Sequence, residues 1–383
     1  MWTRVALAAG CFASIMGFAR LAYGLLIPAM RHALGGDLST YGLIGTGNFV
    51  GYLIGALGAT QLAKRDDRAR VDLLFLLATA ALLVGTGFAP STLVLAIVRF
   101  LVGIASGVAL TLTIALATEP VPADRRGLAA AIIWGGGAAG VAFVGLASLL
   151  IRPDDAAGWR IQWIAMGIAG AAVAVAFGRT VGADFTRTER HDDGAPIGLW
   201  LRPRYLALTL AYFAFGFGYI DILTFLGAAL SRATGVSSGV VWAVLGTAGA
   251  VGAALWGPLL DRMRSGVPIA LAASCCAGGA VMIATERPAL ALAGAFLIGV
   301  SFIGVPAMVG ALVQQREGPG RYPRAFASIT TVLGAGQILG PLVGGRLADA
   351  AGATAALVLG AAVLAVAAAC ALGYRRPSLA GLE

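Results

Sequence analysis

Stretches of about 20 apolar residues, the length that crosses a bilayer as a helix, recur along the whole chain. A helix also satisfies its own backbone hydrogen bonds in lipid. The composition agrees with a membrane location, because only 12% of residues are charged and 59% are hydrophobic. Soluble domains carry about twice that charged fraction. We therefore predict an all-α integral membrane protein. Its twelve transmembrane helices are predicted at roughly 5–30, 41–63, 72–89, 92–118, 127–151, 160–178, 204–230, 238–260, 267–285, 289–314, 325–349 and 354–373.

The longest polar connector runs from residue 178 to 204 and separates the sixth predicted span from the seventh. It predicts an N-terminal six-helix bundle at 1–178, a cytoplasmic linker at 179–203 and a C-terminal six-helix bundle at 204–383. With the N-terminus in the cytoplasm, roughly three-quarters of the basic residues fall in cytoplasmic connectors, as the positive-inside rule requires. We expect a multi-pass protein of a bacterial inner membrane with both termini in the cytoplasm. The net charge of +9 then reports topology and not binding to nucleic acid.

Few side chains in the sequence suit metal or cofactor chemistry. The four cysteines lie inside apolar runs, where packing is their expected role, and His32 and His191 lie in polar connectors. No metal-ligand spacing, phosphate-binding loop or nucleophile motif accompanies them. We therefore expect no metal, no cofactor and no enzymatic activity.

The first and seventh predicted spans align without gaps when the sequence is shifted by about two hundred positions. "CFASIMGFARLAYGLLIPAMR" then overlays "YFAFGFGYIDILTFLGAALSR", and Arg20 falls on Asp221. "GGGAAGVAFVG" in the fifth span likewise parallels "GAGQILGPLVGG" in the eleventh. Two six-span repeats in the same orientation are typical of a duplicated transporter.

Several motifs resemble those of the major facilitator superfamily, and they occur in the expected order. "GPLLDRMRSG" from Gly257 is similar to the superfamily's loop between spans eight and nine, and "RFLVGIASG" from Arg99 is similar to its fourth-span motif. "GQILGPLVGGRLAD" from Gly336 resembles its eleventh span. "GFARLAYGLLIPAM" is similar to the first span of the YbfB/YjiJ-like branch. The resemblance implies two pseudo-symmetric six-helix bundles around a central cavity that opens alternately to each side.

Two departures from the superfamily pattern matter. In the first-half loop "GATQLAKRDDRAR", Leu62 stands where the motif places an aspartate. We therefore predict a conformational latch on one side only, formed by Gly257, Asp261 and Arg262, which holds the outward-open state. The fifth span lacks the proline that is typical of antiporters. Import and export thus both stay open.

Three charges lie well inside predicted spans: Arg20, Arg99 and Asp221. A charge at the bilayer centre costs about 2.5–3.5 kcal/mol on insertion scales, so it normally faces a cavity or a partner. The resemblance implies that the spans carrying Arg20 and Asp221 line the cavity from opposite sides. We predict that Arg20 faces Asp221, as its partner or as its competitor for substrate, and that Asp221 couples transport to protons. A structural ion pair is the alternative.

The resemblance also implies that Arg99 helps proton transfer or holds substrate, whereas a packing charge bonded to the backbone is the alternative. Tyr23 follows Arg20 by one helical turn and could add a hydroxyl or a ring. Glu119 is expected in a solvated connector, with a coupling role as the alternative. For the aromatic residues, helix packing or an interfacial belt is the competing interpretation. The predicted substrate-binding residues are Arg20, Tyr23, Asn48, Tyr52, Arg99, Trp134, Tyr212, Tyr219 and Gln337.

These features predict a secondary active transporter that moves a small organic solute by alternating access with energy from protons. Arginines in the cavity favour a solute with an anionic group such as a carboxylate. A drug or metabolite efflux antiporter with an amphiphilic substrate and a non-transporting membrane sensor are the alternatives. The expected partners are the small-molecule substrate, protons and the lipid bilayer, with the protein as a monomer.

Overall fold

The structure, a computed structural model, describes residues 1–122, 125–153, 157–181, 202–230, 235–263, 265–317 and 321–374. Within these ranges the side chains of 253–254, 257–258, 260–262 and 322–324 are not described. All regular secondary structure in the described ranges is helical. The helices are α1 Trp2–Leu34, α2 Leu38–Leu62, α3 Arg68–Gly87, α4 Thr92–Thr118, α5 Arg126–Leu150, α6 Gly158–Val181, α7 Pro203–Leu230, α8 Ser238–Met263, α9 Val267–Ala284, α10 Pro288–Glu317, α11 Tyr322–Ala351 and α12 Ala353–Leu372.

Each predicted span corresponds to one of these helices, so the predicted fold class is confirmed. Eleven of the described helices are long and apolar enough to cross a bilayer, and α8 contains the shorter apolar segment Ser238–Gly252. Leucine, isoleucine and phenylalanine side chains remain exposed on many of them, as expected for surfaces that face lipid and not water.

The two halves repeat the same packing scheme. In the first half α1 packs on α5, α2 on α4 and α3 on α6; in the second half α7 packs on α11, α8 on α10 and α9 on α12. Small residues allow the close approach: a Cβ on Gly103 of α4 would collide with the backbone of Asn48 on α2. The duplication seen in the sequence is therefore also a duplication of helix contacts.

Three helix pairs make the most extensive contacts between the halves in the described ranges: α1 with α7, α2 with α11, and α5 with α8. Successive helices run in opposite directions, so the position of a residue within its helix gives the depth of each of the three contacts along the bundle axis. We call the end that holds the start of α1 the N-terminal side, and the opposite end the far side. Contacts between Gly24 and Gly227 and between Gly145 and Ala243 lie towards the far side.

Asp349 makes the outermost of these contacts between the halves. Its carboxylate, at the end of α11, accepts hydrogen bonds from the backbone N–H groups of Leu38 (2.7 Å) and Ser39 (2.9 Å) at the start of α2. A carboxylate at a helix N-terminus is favoured by the helix dipole. One turn further in, Gly42 packs on the carbonyl of Pro341, and the Thr46 hydroxyl donates to Ile338 O at 2.9 Å. Together these contacts join the halves from the middle of the bundle to the far side.

Helix α1 is not uniform. Its central segment Ala13–Leu21 is π-helical, between the α-helical segments Trp2–Phe12 and Ala22–Leu34. A π-helix has more residues per turn than an α-helix, and π-helical turns often occur at functional sites. In the second half, α10 is interrupted at Ile303 instead, while α7 is a regular helix over its whole length.

Candidate functional site

Arg20 lies in the π-helical segment of α1, at mid-depth, with 7% of its surface exposed. One terminal nitrogen donates to the amide oxygen of Gln337 on α11 at 3.2 Å, and the other contacts the sulfur of Met16 at 3.2 Å. The guanidinium carbon lies 4.0 Å from the centre of the Tyr52 ring and 4.8 Å from that of Phe49. The described partners of this cation are thus all uncharged, and its Nε has no acceptor.

Gln337 connects Arg20 to an aromatic group on α7. Its amide nitrogen donates to the hydroxyl of Tyr219. The Tyr219 ring stacks on Phe215 at a centroid distance of 4.9 Å and faces Phe302 of α10 at 6.4 Å. A cation, an amide, two hydroxyls and several aromatic faces therefore meet where α1, α2, α7 and α11 approach each other.

Arg99 of α4 forms a second buried cation, with 1% of its surface exposed. It donates to the backbone carbonyl of Ala19 in the π-helical segment. Its guanidinium lies over the rings of Tyr23 (5.0 Å) and Trp163 (4.9 Å), while Nε and one terminal nitrogen have no acceptor in the described part of the chain. Asn48 donates to the carbonyl of Arg99 at 2.7 Å. Cation–π contacts of this kind offset only part of the cost of a buried charge.

A small cavity of about 10 Å³, which is room for about one water molecule, lies between the two arginines. Its wall also includes Tyr23, Asn48 and Phe49 from the first half and Ile220, Leu223 and Thr224 from α7. The cavity therefore sits at the boundary between the halves, just to the far side of the Arg20 cluster.

The predicted pairing of Arg20 with Asp221 is wrong for this structure. Asp221 is completely buried, and neither of its oxygens has a hydrogen-bond partner among the described residues. It packs against α11, where a Cβ on Gly344 would overlap its carboxyl oxygen. The reason is helical phase: Ile220 and Thr224 of α7 face the cavity, so Asp221, one residue from Ile220, points to a different neighbour. The two repeats therefore place Arg20 and Asp221 at the same depth, but their side chains point to different neighbours.

Tyr23 also differs from the expectation. Its ring faces Arg99 and not Arg20, and its hydroxyl donates to the carbonyl of Tyr41 at 2.8 Å. Arg20 belongs to the π-helical segment, which ends at Leu21, whereas Tyr23 belongs to the α-helical segment that follows. The α-helical rule that an i, i+3 pair shares a face therefore does not apply across this junction.

The remaining predicted binding residues divide into two groups. Tyr52, Tyr219 and Gln337 surround Arg20, and Asn48 lies beside Arg99. Trp134 instead packs edge-to-face on Phe12 at 5.5 Å, and Tyr212 is buried in the hydrophobic core. The predicted binding role of these two residues stays a prediction.

The predicted latch of Gly257, Asp261 and Arg262 falls where the side chains lie outside the described part of the structure, so it stays a prediction. In the matching first-half connector, Arg65 donates to both oxygens of Asp67 (2.7 and 2.9 Å). This bond holds the pKa of the Asp67 carboxyl below its usual range. Glu119 receives two hydrogen bonds of 2.7 Å from Arg68, which makes it an ion-pair partner and not simply a solvated connector residue.

Sequence reasoning missed four residues that the structure brings forward. Phe49 and Met16 contact Arg20, Asp349 joins the halves, and Asp72 is a buried acid in addition to Asp221. Phe49 could have been found from its position three residues before Tyr52. Asp72 and Asp349 stand at the ends of apolar runs, where a carboxylate is normally solvated, so the sequence carries no signal for them.

No cluster of three or more metal-ligating side chains occurs in the described ranges. The chemistry available at the Arg20 cluster is instead recognition of an anion. Arginine offers a planar fork of N–H donors that matches a carboxylate, and the neighbouring rings can hold an aromatic or apolar body.

Comparison with known proteins places these observations in a family. Residues 12–372 match the family model described as "Uncharacterised MFS-type transporter YbfB". The chain is also similar to a protein of Pseudomonas putida named gallate transporter, with 28% identity over 385 residues that cover 88% of this chain and 84% of the relative.

Solved structures agree on the fold. The nucleoside transporter NupG superposes with a TM-score of 0.74 at 12% identity, over 98% of this chain and 99% of that chain. A bacterial homologue of the human lysosomal transporter Spinster, inward-facing and unoccupied, superposes with a TM-score of 0.73 at 17% identity, over 98% and 99%. At these identities the similarity concerns the fold alone.

Proposed function

The chain belongs to the MFS-type transporter family of YbfB, and from that premise we propose that it couples the movement of a small organic anion to protons. As a family member it is a transporter and not an enzyme. The observation that carries the proposal is Arg20, a buried cation in the middle of the bundle whose described partners are all uncharged.

The environment of Arg20 leaves room for one more interaction. Removing a cation from water is costly, and an amide oxygen with two aromatic faces compensates only part of that cost. The Nε–H has no acceptor, and together with a terminal N–H it forms the edge of the guanidinium that binds a carboxylate through two parallel hydrogen bonds. A substrate carboxylate would therefore supply the counter-charge that the described residues around Arg20 do not provide.

The aromatic residues around Arg20 favour a carboxylate attached to a ring. Tyr52 and Phe49 lie against the guanidinium, and the stacked Phe215, Tyr219 and Phe302 continue the aromatic surface. Gln337 and Tyr219 add polar groups that can bind phenolic hydroxyls. We therefore propose a hydroxylated aromatic carboxylate as the substrate, and the name of the Pseudomonas putida relative makes gallate the first compound to test.

Proton coupling is assigned to Asp221. A buried carboxyl without hydrogen bonds or a counter-ion is compatible with its packing only when a proton neutralises it. Ionisation would require water or a donor between α7 and α11, where Asp221 now touches Gly344. Gln337 lies on the same helix as Gly344 and bonds Arg20. Separation of α7 from α11 would thus disturb the substrate site, which gives an indirect route from proton to substrate.

Alternating access follows from where the halves touch. The described contacts run from mid-depth to the far side and end at Asp349 on the start of α2. If the termini are cytoplasmic, this is an inward-facing state, and the Asp349 contact closes the outer side. Opening to the outside would break it, and the predicted latch of Asp261 and Arg262 would then close the inner side.

The other assignments belong to the same proposal. The protein works as a monomer in a bacterial inner membrane. The distribution of basic residues supports a cytoplasmic position of both termini. Residues 1–178 and 204–383 move as the two rigid units, and 179–203 connects them.

The test is uptake by proteoliposomes with an imposed pH gradient. We expect labelled gallate or 4-hydroxybenzoate to accumulate, and benzamide and phenethylamine neither to accumulate nor to compete. Arg20→Gln should abolish the uptake of carboxylates. Uptake of an amine in preference to every carboxylate would overturn the proposal in favour of an efflux carrier for amphiphilic cations.

A further inference from the structure

Asp72 is an acid that the proposed mechanism does not use. It lies in the second turn of α3, near the N-terminal side of the bundle, with 1% of its surface exposed. The surrounding apolar cluster contains Phe12 of α1, Leu76 of α3, Ala109 of α4 and Phe177 of α6. This is the interior of the first half and not the interface between the halves. An ionisable group at such a place is unusual and normally has a function.

The hydrogen-bond geometry of Asp72 favours the protonated acid. Both carboxyl oxygens lie within bonding distance of one hydroxyl, that of Thr113 on α4, at 3.0 and 3.2 Å. A threonine hydroxyl has a single hydrogen to donate and can also accept. It satisfies both oxygens at full strength only if it donates to one and accepts from the other, and the accepted hydrogen must then belong to the carboxyl group.

No cation compensates Asp72 among the described contacts. From α1 it faces Cys11, a neutral thiol, and from α4 it faces Thr113. Arg4 at the start of α1 donates to the Thr180 carbonyl at 2.5 Å. Arg68, one turn before Asp72 on α3, is bonded to Glu119 of α4 through two terminal nitrogens.

We propose that Asp72 is a second proton-binding site, separate from the central cavity, that is loaded and emptied during transport. Its position one turn inside the N-terminal side gives it a short route to solution. When Asp72 loses its proton, Arg68 on the same helix face can turn from Glu119 to the new carboxylate. The arrangement in the structure, with Asp72 bonded to Thr113 and Arg68 bonded to Glu119, corresponds to the loaded state of this cycle.

A second site changes the stoichiometry, and this consequence rests on the proposed function. One proton on Asp221 would make import of a monovalent carboxylate electrically neutral, whereas two protons would carry net positive charge with the substrate. At zero membrane potential, each coupled proton raises the maximum accumulation ratio of the substrate about tenfold for every pH unit of the gradient. Two protons therefore allow about 100-fold accumulation at a gradient of one pH unit, and one proton about tenfold.

The first experiment needs no substrate. Infrared difference spectra of purified wild type and Asp72→Asn at neutral pH report the carbonyl band of a protonated carboxyl group. We expect Asp72→Asn to lose one such band, Thr113→Val to shift it, and Asp66→Asn, an exposed acid in the preceding connector, to leave it unchanged. A spectrum in which Asp72→Asn loses only a carboxylate band would overturn the proton site.

The second experiment tests whether this proton is transported. At zero membrane potential and a gradient of one pH unit, wild type should accumulate gallate about 100-fold and Asp72→Asn about tenfold, with Asp66→Asn at the wild-type value. Equal limits in wild type and Asp72→Asn would show that the proton is resident and overturn its cycling. If wild type accumulates no carboxylate, the proposed function fails, whereas the infrared result still decides the site.

Discussion

Arg20 and Asp221 occupy equivalent positions in the two repeats, yet the structure gives them different surroundings. Arg20 stands in a π-helical turn of α1 at the interface between the halves and contacts Gln337 and Tyr52. Asp221 stands in the regular helix α7, faces α11 inside the second half, and accepts no hydrogen bond from any described residue. Duplication therefore fixed how deep each charge lies, and the local helix geometry determined what it faces.

This difference separates the two tasks that an ion pair would have combined. Arg20 has no acidic partner among the described residues, so it can bind an anion that enters the cavity. Asp221 has no cationic partner among them, so a proton is what neutralises its charge. Both charges depend on α11, because Gln337 bonds Arg20 and Gly344 contacts Asp221. Coupling between substrate and proton is thus expected to pass through the position of one helix.

The largest expected effect is the loss of Arg20. Arg20→Ala should weaken carboxylate binding by about 2–5 kcal/mol, at least about 30-fold in Kd, because a buried charge-assisted pair loses one partner. Arg20→Lys retains the charge without the fork and should fall between Arg20→Ala and wild type. Calorimetric titration of purified variants measures this, with Arg31→Lys on the far side as the control. Wild-type affinity in Arg20→Ala would remove Arg20 from the site.

Changing Asp221 should separate transport from its driving force. Asp221→Asn mimics the protonated acid in shape, so exchange of internal for external substrate should continue, whereas accumulation driven by a pH gradient should stop. Counterflow and gradient-driven uptake in the same proteoliposomes check both halves of the statement. Gradient-driven accumulation at the wild-type level would show that the coupling proton binds elsewhere.

An added methyl group at the contact between Asp221 and α11 should lower the stability of the protein. A Cβ on Gly344 would overlap the carboxyl oxygen, so Gly344→Ala forces α7 and α11 apart at a cost of about 1–3 kcal/mol. The midpoint of thermal unfolding in detergent should fall. Gly47→Ala, where an added Cβ meets nothing within 4 Å, should not lower it. An unchanged midpoint in Gly344→Ala would mean that the packing at Asp221 is looser than described.

Weakening the contact between the far-side end of α11 and the start of α2 should change the equilibrium between the two conformations of the transporter. Asp349→Asn removes the charge from a cap on α2 that contributes about 1–2 kcal/mol, and should shift the population towards opening on the far side by about 5–30-fold. Labelling of single cysteines on the two sides reports the shift. Asp37→Asn is the matched control, because Asp37 precedes α2 but makes no side-chain cap bond. Equal labelling in both variants would show that Asp349 does not hold the far side closed.

The smallest expected effect is the energetic coupling between Arg20 and Asp221 themselves. In a double-mutant cycle of Arg20→Gln and Asp221→Asn, the changes in unfolding free energy should add within about 0.3–0.5 kcal/mol, since the two side chains share no contact. An ion pair in the dominant state would instead produce a coupling above about 1 kcal/mol.

The length of the apolar runs was enough to predict the number of helices and the fold class, because a lipid environment leaves few alternatives to a helix. The depth of Arg20 and Asp221 could also be predicted from their position within the runs. Their directions could not, since the change from π-helix to α-helix after Leu21 has no sequence signature, and Tyr23, just beyond it, faces Arg99 and not Arg20. The burial of Asp72 depends on Thr113, which is distant in sequence and reaches Asp72 only through the packing of α3 on α4.

The preference of the site for a charged carboxylate over its neutral amide tests the central claim most directly. Titration of wild type and Arg20→Gln with 4-hydroxybenzoate and with 4-hydroxybenzamide gives four affinities under identical conditions. The account predicts that wild type binds the carboxylate at least about 30-fold more tightly than the amide, and that Arg20→Gln binds both with similar, weak affinity. A carboxylate preference that survives in Arg20→Gln, or a wild type that does not distinguish the two compounds, would contradict it.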